Sequence, residues 1–258
     1  MTIIIPAYNP DEHLIGVLDG LKKYKVVVVD DGSKDKTWDI ICELNDENKL
    51  FSGINLSRNR GHQNALVAGL MTAKEHADVV ISMDADLQDD IFVMEEMIDK
   101  YNNGIDIVYG VRNDRTSDSF FKRFTAQTFY KFMNHMGVKT IYNHADYRLT
   151  SKRVLDNFAN YKEVNLFLRG MFPLIGFKSS IVYYERAERF AGESKYPLKK
   201  MLNFAWDGIT SFSVKPIRMI LDLGIFICMI SFVVLIYCLI RKICGATVEG
   251  WTFIACSL

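Results

Sequence analysis

Cysteine is scarce in this chain and badly placed for pairing. The five are Cys42, Cys228, Cys238, Cys244 and Cys256. Their number is odd, no CxxC occurs, and four lie in an apolar C-terminal stretch. That pattern argues against a disulfide scaffold and a zinc site, and for reduced thiols. Net charge is missing too, since 31 Lys and Arg balance 31 Asp and Glu. Nothing in that balance calls for nucleic acid as a partner. GxGxxG and GxxxxGK(S/T) loops are both absent, so neither a dinucleotide Rossmann site nor a P-loop is supported. Bound phosphates must then be held by metal and basic side chains. The N-terminus runs straight into Thr2-Ile3-Ile4-Ile5-Pro6, without the basic and apolar regions of a secretory signal. The folded part is therefore expected in the cytoplasm.

What is present begins with apolar bulk: 49% of the 258 residues are hydrophobic, enough for a sizeable core. Leu223 to Ile240 carries no charge. As a helix it spans about 27 Å, close to the hydrocarbon thickness of a bilayer. Lys215 and Arg218 precede it and Arg241-Lys242 close it, so loop charge leaves orientation open. The missing signal places the N-terminus inside. A second apolar run, from Trp251 to Leu258, is too short to span and reads as the start of another membrane helix cut by the chain end.

The first half alternates apolar strands with amphipathic helices. Strands are predicted at 2–5, 25–29, 50–56, 77–82 and 105–109, and helices at 11–23, 36–45, 63–76 and 91–102. This order implies an α/β fold with a mostly parallel, doubly wound sheet. Ligands of such sheets bind beyond the carboxyl ends of the strands. Three segments fall there: Pro6-Ala7-Tyr8-Asn9, Asp30-Asp31-Gly32-Ser33 and Asp84-Ala85-Asp86. Independent acidic turns have no reason to converge on one edge, so an active site is expected there. Strand alternation predicts that Asp84 and Asp86 share a side. With Gln88 they form a hard-oxygen set suited to Mg²⁺ or Mn²⁺ held together with nucleotide phosphates. The competing reading is a solvated acidic turn capping the helix near Asp90.

Two further helices, 118–136 and 198–212, mix aromatic and basic residues. The first is either a core helix with a basic outer face or a helix at a membrane surface. The second, beside the span, is read as interfacial.

At this point the motifs resemble a known family. Ile5-Pro6-Ala7-Tyr8-Asn9, Val29-Asp30-Asp31-Gly32-Ser33-Lys34-Asp35-Lys36-Thr37 and Asp84-Ala85-Asp86-Leu87-Gln88-Asp89 look like successive motifs of the inverting family-two glycosyltransferases of GT-A fold. Ser57-Arg58-Asn59-Arg60-Gly61-His62, Asp146-Tyr147-Arg148-Leu149 and Arg189-Phe190-Ala191-Gly192-Glu193-Ser194-Lys195-Tyr196 resemble its polyprenyl-phosphate branch, which includes dolichol-phosphate mannose synthases and bactoprenol glucosyltransferases. The resemblance runs from residue 2 to about residue 240. One departure is Pro10, where the family has an acidic residue; Asp11 and Glu12 follow it.

The resemblance implies a membrane-anchored enzyme that moves a hexose from a nucleotide sugar, UDP-linked for preference, to a polyprenyl phosphate with inversion. It implies a catalytic domain over 1–197, a juxtamembrane amphipathic helix over 198–216, a transmembrane helix over 217–242 and the start of a second over 243–258. The protein would be multi-pass, with its catalytic domain on the cytoplasmic face; a homo-oligomeric state is left open. Pro6, Ala7, Tyr8, Asn9, Asp30 and Asp31 would hold the donor's base and ribose. Asp84, Asp86 and Gln88 would take the metal, with Ala85 against the donor. Arg112, Arg189 and Lys195 would offset phosphate charge. Asp146 belongs to the acceptor side, as general base or as orienting group, and Arg148 would bind the acceptor phosphate. A plain Asp146–Arg148 salt bridge competes with that reading. His62 is read as a helix N-terminal residue. Three other functions compete. A processive polysaccharide synthase is disfavoured because no Trp follows an Arg. A silent nucleotide-sugar-binding module is disfavoured by the intact acidic motifs. A nucleotidyltransferase would need neither the span nor the Arg189–Tyr196 segment.

Overall fold

The computed structural model describes residues 1–10, 13–86, 88–113, 144–162, 167–185 and 214–245. The expected helices at 118–136 and 198–212, and Asp11, Glu12, Arg189 and Lys195, lie outside them. So do most of the expected juxtamembrane helix and the start of a second span.

Seven strands form one sheet: β1 (Thr2–Ala7), β2 (Lys25–Asp30), β3 (Phe51–Asn55), β4 (Val79–Ser82), β5 (Ile107–Arg112), β6 (His144–Ser151) and β7 (Ser179–Tyr184). Their order is β3-β2-β1-β4-β6-β5-β7. All neighbours run parallel except around β6, which is antiparallel to both β4 and β5. Strand β1 is buried along its whole length, as a central strand covered on both faces must be. Pro6 is tolerated there because β4 pairs with β1 only as far as Ile4↔Ser82, so no ladder bond is lost beyond that point.

Helices α1 (His13–Asp19), α2 (Thr37–Glu47) and α4 (Val93–Asn102) lie on one face, over Ile3, Ile5, Val26, Val28 and Ile81. On the other, α3 (His62–Ala73), α5 (Lys152–Phe158) and α6 (Leu168–Ile175) cover Ile4, Val27, Val29 and Val80. Gly69 lets α3 approach closely: a Cβ there would stand 2.4 Å from Cγ2 of Ile4. The result is a doubly wound α/β sheet, as the strand–helix alternation implies.

Two elements at the far side of the sheet differ from the sequence reading, which stops at β5. Strand β6 supplies the reversed strand, and β7 closes the edge beside β5. Because β6 runs backwards, its first residues arrive at the edge where β1, β2 and β4 end. That reversal brings Asp146 to the site.

A last helix, α7 (Lys215–Ile243), is almost wholly exposed along its apolar length. Only 6% of its apolar window is buried, so it is no core helix. It has the length and composition to cross a membrane.

Candidate active site

The tips of β1 and β2 are tied together by their own polar side chains. The Asn9 N–H donates to Oγ of Ser33 at 3.0 Å, and the Lys34 N–H to Oδ1 of Asn9 at 2.9 Å. Asn9 sits at φ 50°, a conformation asparagine tolerates better than most residues. Tyr8 beside it is 48% exposed at the edge of the sheet. Asp30 is buried and accepts from the Ser33 N–H at 2.9 Å, which makes it a turn brace.

Asp31 braces a neighbouring loop. Its two oxygens accept from the N–H groups of Arg60 at 2.7 Å and Gly61 at 2.8 Å. Gly32, at φ +69°, presses on the same loop; a Cβ there would lie 2.6 Å from the carbonyl carbon of Arg58. A bond from Asp31 to a donor molecule would be additional to this task. Held in this way, the loop delivers His62 as the first residue of α3.

Strand β4 ends at Ser82, and Met83 to Asp86 leave the sheet in a turn. Alternation along a strand therefore does not place Asp84 beside Asp86; the turn does. Asp86 Oδ1 accepts from the Gln88 N–H at 3.2 Å, and the Gln88 side chain is buried. Facing this turn, Asp146 stands near the start of β6 and only 3% exposed. Its backbone carbonyl accepts from the Ser82 hydroxyl, which locks β6 to the end of β4.

Two side chains converge on the Asp146 carboxylate, and a backbone bond sets their positions. Arg169, on the first turn of α6, donates from Nε to Oδ1 at 3.3 Å and from Nη2 to Oδ2 at 3.1 Å. His62 Nε2 lies 3.3 Å from Oδ2 of Asp146 and 3.7 Å from Oδ1 of Asp84. The Leu168 N–H donates to Oε1 of Gln63 at 3.1 Å. That bond joins the first turns of α3 and α6, and so sets His62 and Arg169 on either side of one carboxylate.

A second network supports the acidic turn from behind. Arg112, at the end of β5, donates from Nε to the Tyr184 oxygen at 3.2 Å. The Tyr184 hydroxyl donates to Oδ1 of Asp89 at 2.6 Å, and Oδ2 of Asp89 accepts from the Asp84 N–H at 3.2 Å. Arg112 also reaches within 4.0 Å of the Asp84 carboxylate.

The electrostatics follow from this geometry. Burial raises the Asp84 carboxyl, and the charges of Asp146 and Asp86 add to the rise against His62 and Arg169. Burial and the Asp84 charge push Asp89 up to about 6, against the Tyr184 hydrogen bond. Burial would raise Asp146 as well, but the Arg169 charge and the His62 hydrogen bond hold it well below the usual carboxylate range. Burial lowers His62, yet the Asp146 hydrogen bond and the Asp84 charge leave it raised. Asp84 is a carboxylate raised by burial and by two neighbouring negative charges, an environment that a cation would relieve. Asp84 and Asp86 thus fit a divalent cation in donor chemistry and position, while buried Gln88 sits deeper. Among the described residues no three His, Cys, Asp or Glu side chains cluster as metal ligands.

Of the residues expected from sequence, Tyr8, Asn9, Asp31, Asp84, Asp86, Arg112 and Asp146 share this edge, with Pro6 and Ala7 in the strand beneath. Arg148 is a correction. It is fully buried, its guanidinium 3.7 Å over the Phe172 ring, and it makes no ion pair with Asp146. A side chain enclosed in that way does not present itself to a ligand at the edge. His62 is the opposite case, read from sequence as a helix start and found between two site carboxylates. Arg169 carried no sequence signal, being one arginine in the apolar run Phe167-Leu168-Arg169-Gly170-Met171.

Residues 2–163 match the model of glycosyl transferase family 2. The whole chain is 50% identical over 272 residues to the uncharacterized glycosyltransferase YkoT of Bacillus subtilis, covering 81% of it. It is 39% identical over 243 residues to the bactoprenol glucosyl transferase of Shigella phage SfV, spanning 90% of this chain and 78% of that one. Among solved structures, glucosyl-3-phosphoglycerate synthase from Mycobacterium tuberculosis superposes with a TM-score of 0.52 at 14% identity, over 82% of this chain and 79% of that one. That likeness shows the fold alone, a GT-A-like sheet. With the sheet, the acidic turn and these relatives in agreement, the chain belongs to glycosyltransferase family 2.

Proposed function

We propose that this protein transfers a hexose from a nucleotide sugar, UDP-linked for preference, to a polyprenyl phosphate, with inversion at the anomeric carbon. The observation that carries this is the state of Asp146. Both its oxygens already accept bonds from Arg169, His62 stands against one of them, and its carboxyl is held well below the usual range. Such a group is a poor general base for an alcohol, which needs a base titrating near the working pH. A phosphate acceptor is ionised at neutral pH and needs no proton removed. It attacks the anomeric carbon directly, and Asp146 orients the groups around it. The relatives named as bactoprenol glucosyl transferases support the same acceptor class.

On this reading Tyr8 stacks on the base, and the Asp31-braced loop closes the donor side. Asp84 and Asp86 would hold Mg²⁺ or Mn²⁺, which neutralises the charge developing on the departing diphosphate. Arg112 adds fixed positive charge beside the acidic turn, and Arg189 and Lys195 are the further cations that the family resemblance would bring to the phosphates. The apolar helix α7 anchors the chain, with the catalytic part on the cytoplasmic side, where nucleotide sugars are found.

The test uses membranes holding the full chain, a panel of nucleotide sugars, and undecaprenyl phosphate or unphosphorylated undecaprenol, with products read by mass. Product is expected only with the phosphate, lost on chelation by EDTA and restored by Mg²⁺ or Mn²⁺. Equal transfer to the free alcohol would overturn the acceptor assignment. Transfer indifferent to EDTA would overturn the metal.

A further inference from the structure

Arg148 poses the sharpest physical question in the molecule. It is fully buried, and none of its three guanidinium nitrogens has a hydrogen-bond partner among the described residues. Phe172 of α6 covers it at 3.7 Å, and Tyr109 lies beside it across the β5–β6 pair, its hydroxyl also without a partner among the described residues. A buried charge without hydrogen bonds is costly, and its retention calls for a task. Burial lowers this guanidinium to about 10, so it stays charged at neutral pH. Asp146 is two residues away on the same face of β6, and the two charges interact.

Asp146 therefore has two cations of different kinds. Arg148 is enclosed and fixed. Arg169 bonds it directly, but its side chain is 32% exposed against 5% for Asp146, so of the two arginines it is the one solvent reaches. We infer that Arg169 is the group that binds the acceptor's phosphate, with Asp146 as its resting partner and Arg148 as the fixed charge that stabilises Asp146 when Arg169 turns away. This rests on the reading that the acceptor is a polyprenyl phosphate. The arginine fork suits a phosphate as well as a carboxylate, so the exchange keeps its hydrogen bonds. Without a second cation, releasing Arg169 would leave Asp146 buried with only His62 against it. Arg148 is thus a positioning residue, acting through Asp146.

The experiment uses the full chain in membranes, with undecaprenyl phosphate as the varied substrate and calorimetry with UDP and Mn²⁺ for the donor side. Arg169→Ala is expected to raise KM for undecaprenyl phosphate about tenfold or more, the loss of hydrogen bonds to a charged group. UDP affinity should be unchanged, and Arg169→Lys should recover part of the loss. Arg148→Met should raise the same KM without weakening UDP, and Arg148→Lys, which keeps the charge, should rescue it. An unchanged acceptor KM in Arg169→Ala, or an equal loss of UDP affinity, would sink the inference while leaving the acceptor class intact. No lipid-linked product from the unaltered chain would remove both.

Discussion

Two side chains bear most directly on the chemistry. Tyr8 is an exposed aromatic residue at the sheet edge, close to where a donor's base would lie. Tyr8→Ala should weaken nucleoside diphosphate binding by about 1–3 kcal/mol, the usual worth of one base–aromatic stack, and Tyr8→Phe should retain it; calorimetry with UDP checks this. His62 touches Asp146 and Asp84 at once, linking the acceptor-side carboxylate to the acidic turn. Groups that orient ligand carboxylates typically matter by about 10–100-fold. His62→Ala should lower kcat by about that factor with the fold intact, whereas a histidine that only starts a helix would leave the rate unchanged. This residue also shows how far local reading reaches. Its place after Gly61 reveals a helix start, but its distance to Asp146 depends on how α3 and β6 meet.

Among the elements, β6 decides the most. It inserts antiparallel between β4 and β5, and Asp106 secures its far end. The Asp106 carbonyl accepts from the Ser151 N–H, and its carboxylate accepts from the Ser151 hydroxyl and from Arg153. Those hydrogen bonds, Arg153's first, hold the Asp106 carboxyl below its ordinary value despite burial. The native state then binds this proton less tightly than the unfolded chain does. The contribution to stability is complete above the ordinary carboxylate pKa of about 3.9 and is lost as pH falls through the lowered value. Asp106→Asn should lower the thermal midpoint at neutral pH and flatten its decline below pH 4, as followed by circular dichroism. The strands β1, β2 and β4 were legible because each is a short, nearly continuous apolar run between helical patterns. Strand β6 was not. Its inward face carries His144, Asp146 and Arg148, polar residues that hide the apolar alternation of Tyr147 and Leu149.

At the scale of the whole molecule, a catalytic sheet is joined to a helix about 43 Å long at the standard helical rise, exposed along its apolar length. An exposed apolar surface of that extent marks a membrane or partner contact. Ile230 lies near the middle of α7, where an arginine costs about 2.5–3.5 kcal/mol in a bilayer. Ile230→Arg should shift the protein out of the membrane fraction in vesicle flotation; unchanged flotation would remove α7 as the anchor.

The amino-acid order alone determined the alternating α/β architecture, the acidic turn at the sheet edge and the long apolar helix. Each of these is a contiguous pattern whose physics is local: period-2 or period-3.6 apolarity, or neighbouring carboxylates. Tertiary structure alone decided that β6 runs backwards, that Arg148 is sealed under Phe172, and that His62 and Arg169 meet around Asp146. Those outcomes rest on side chains brought together from separate elements, and burial and charge act on the distances between them, which no linear spacing encodes.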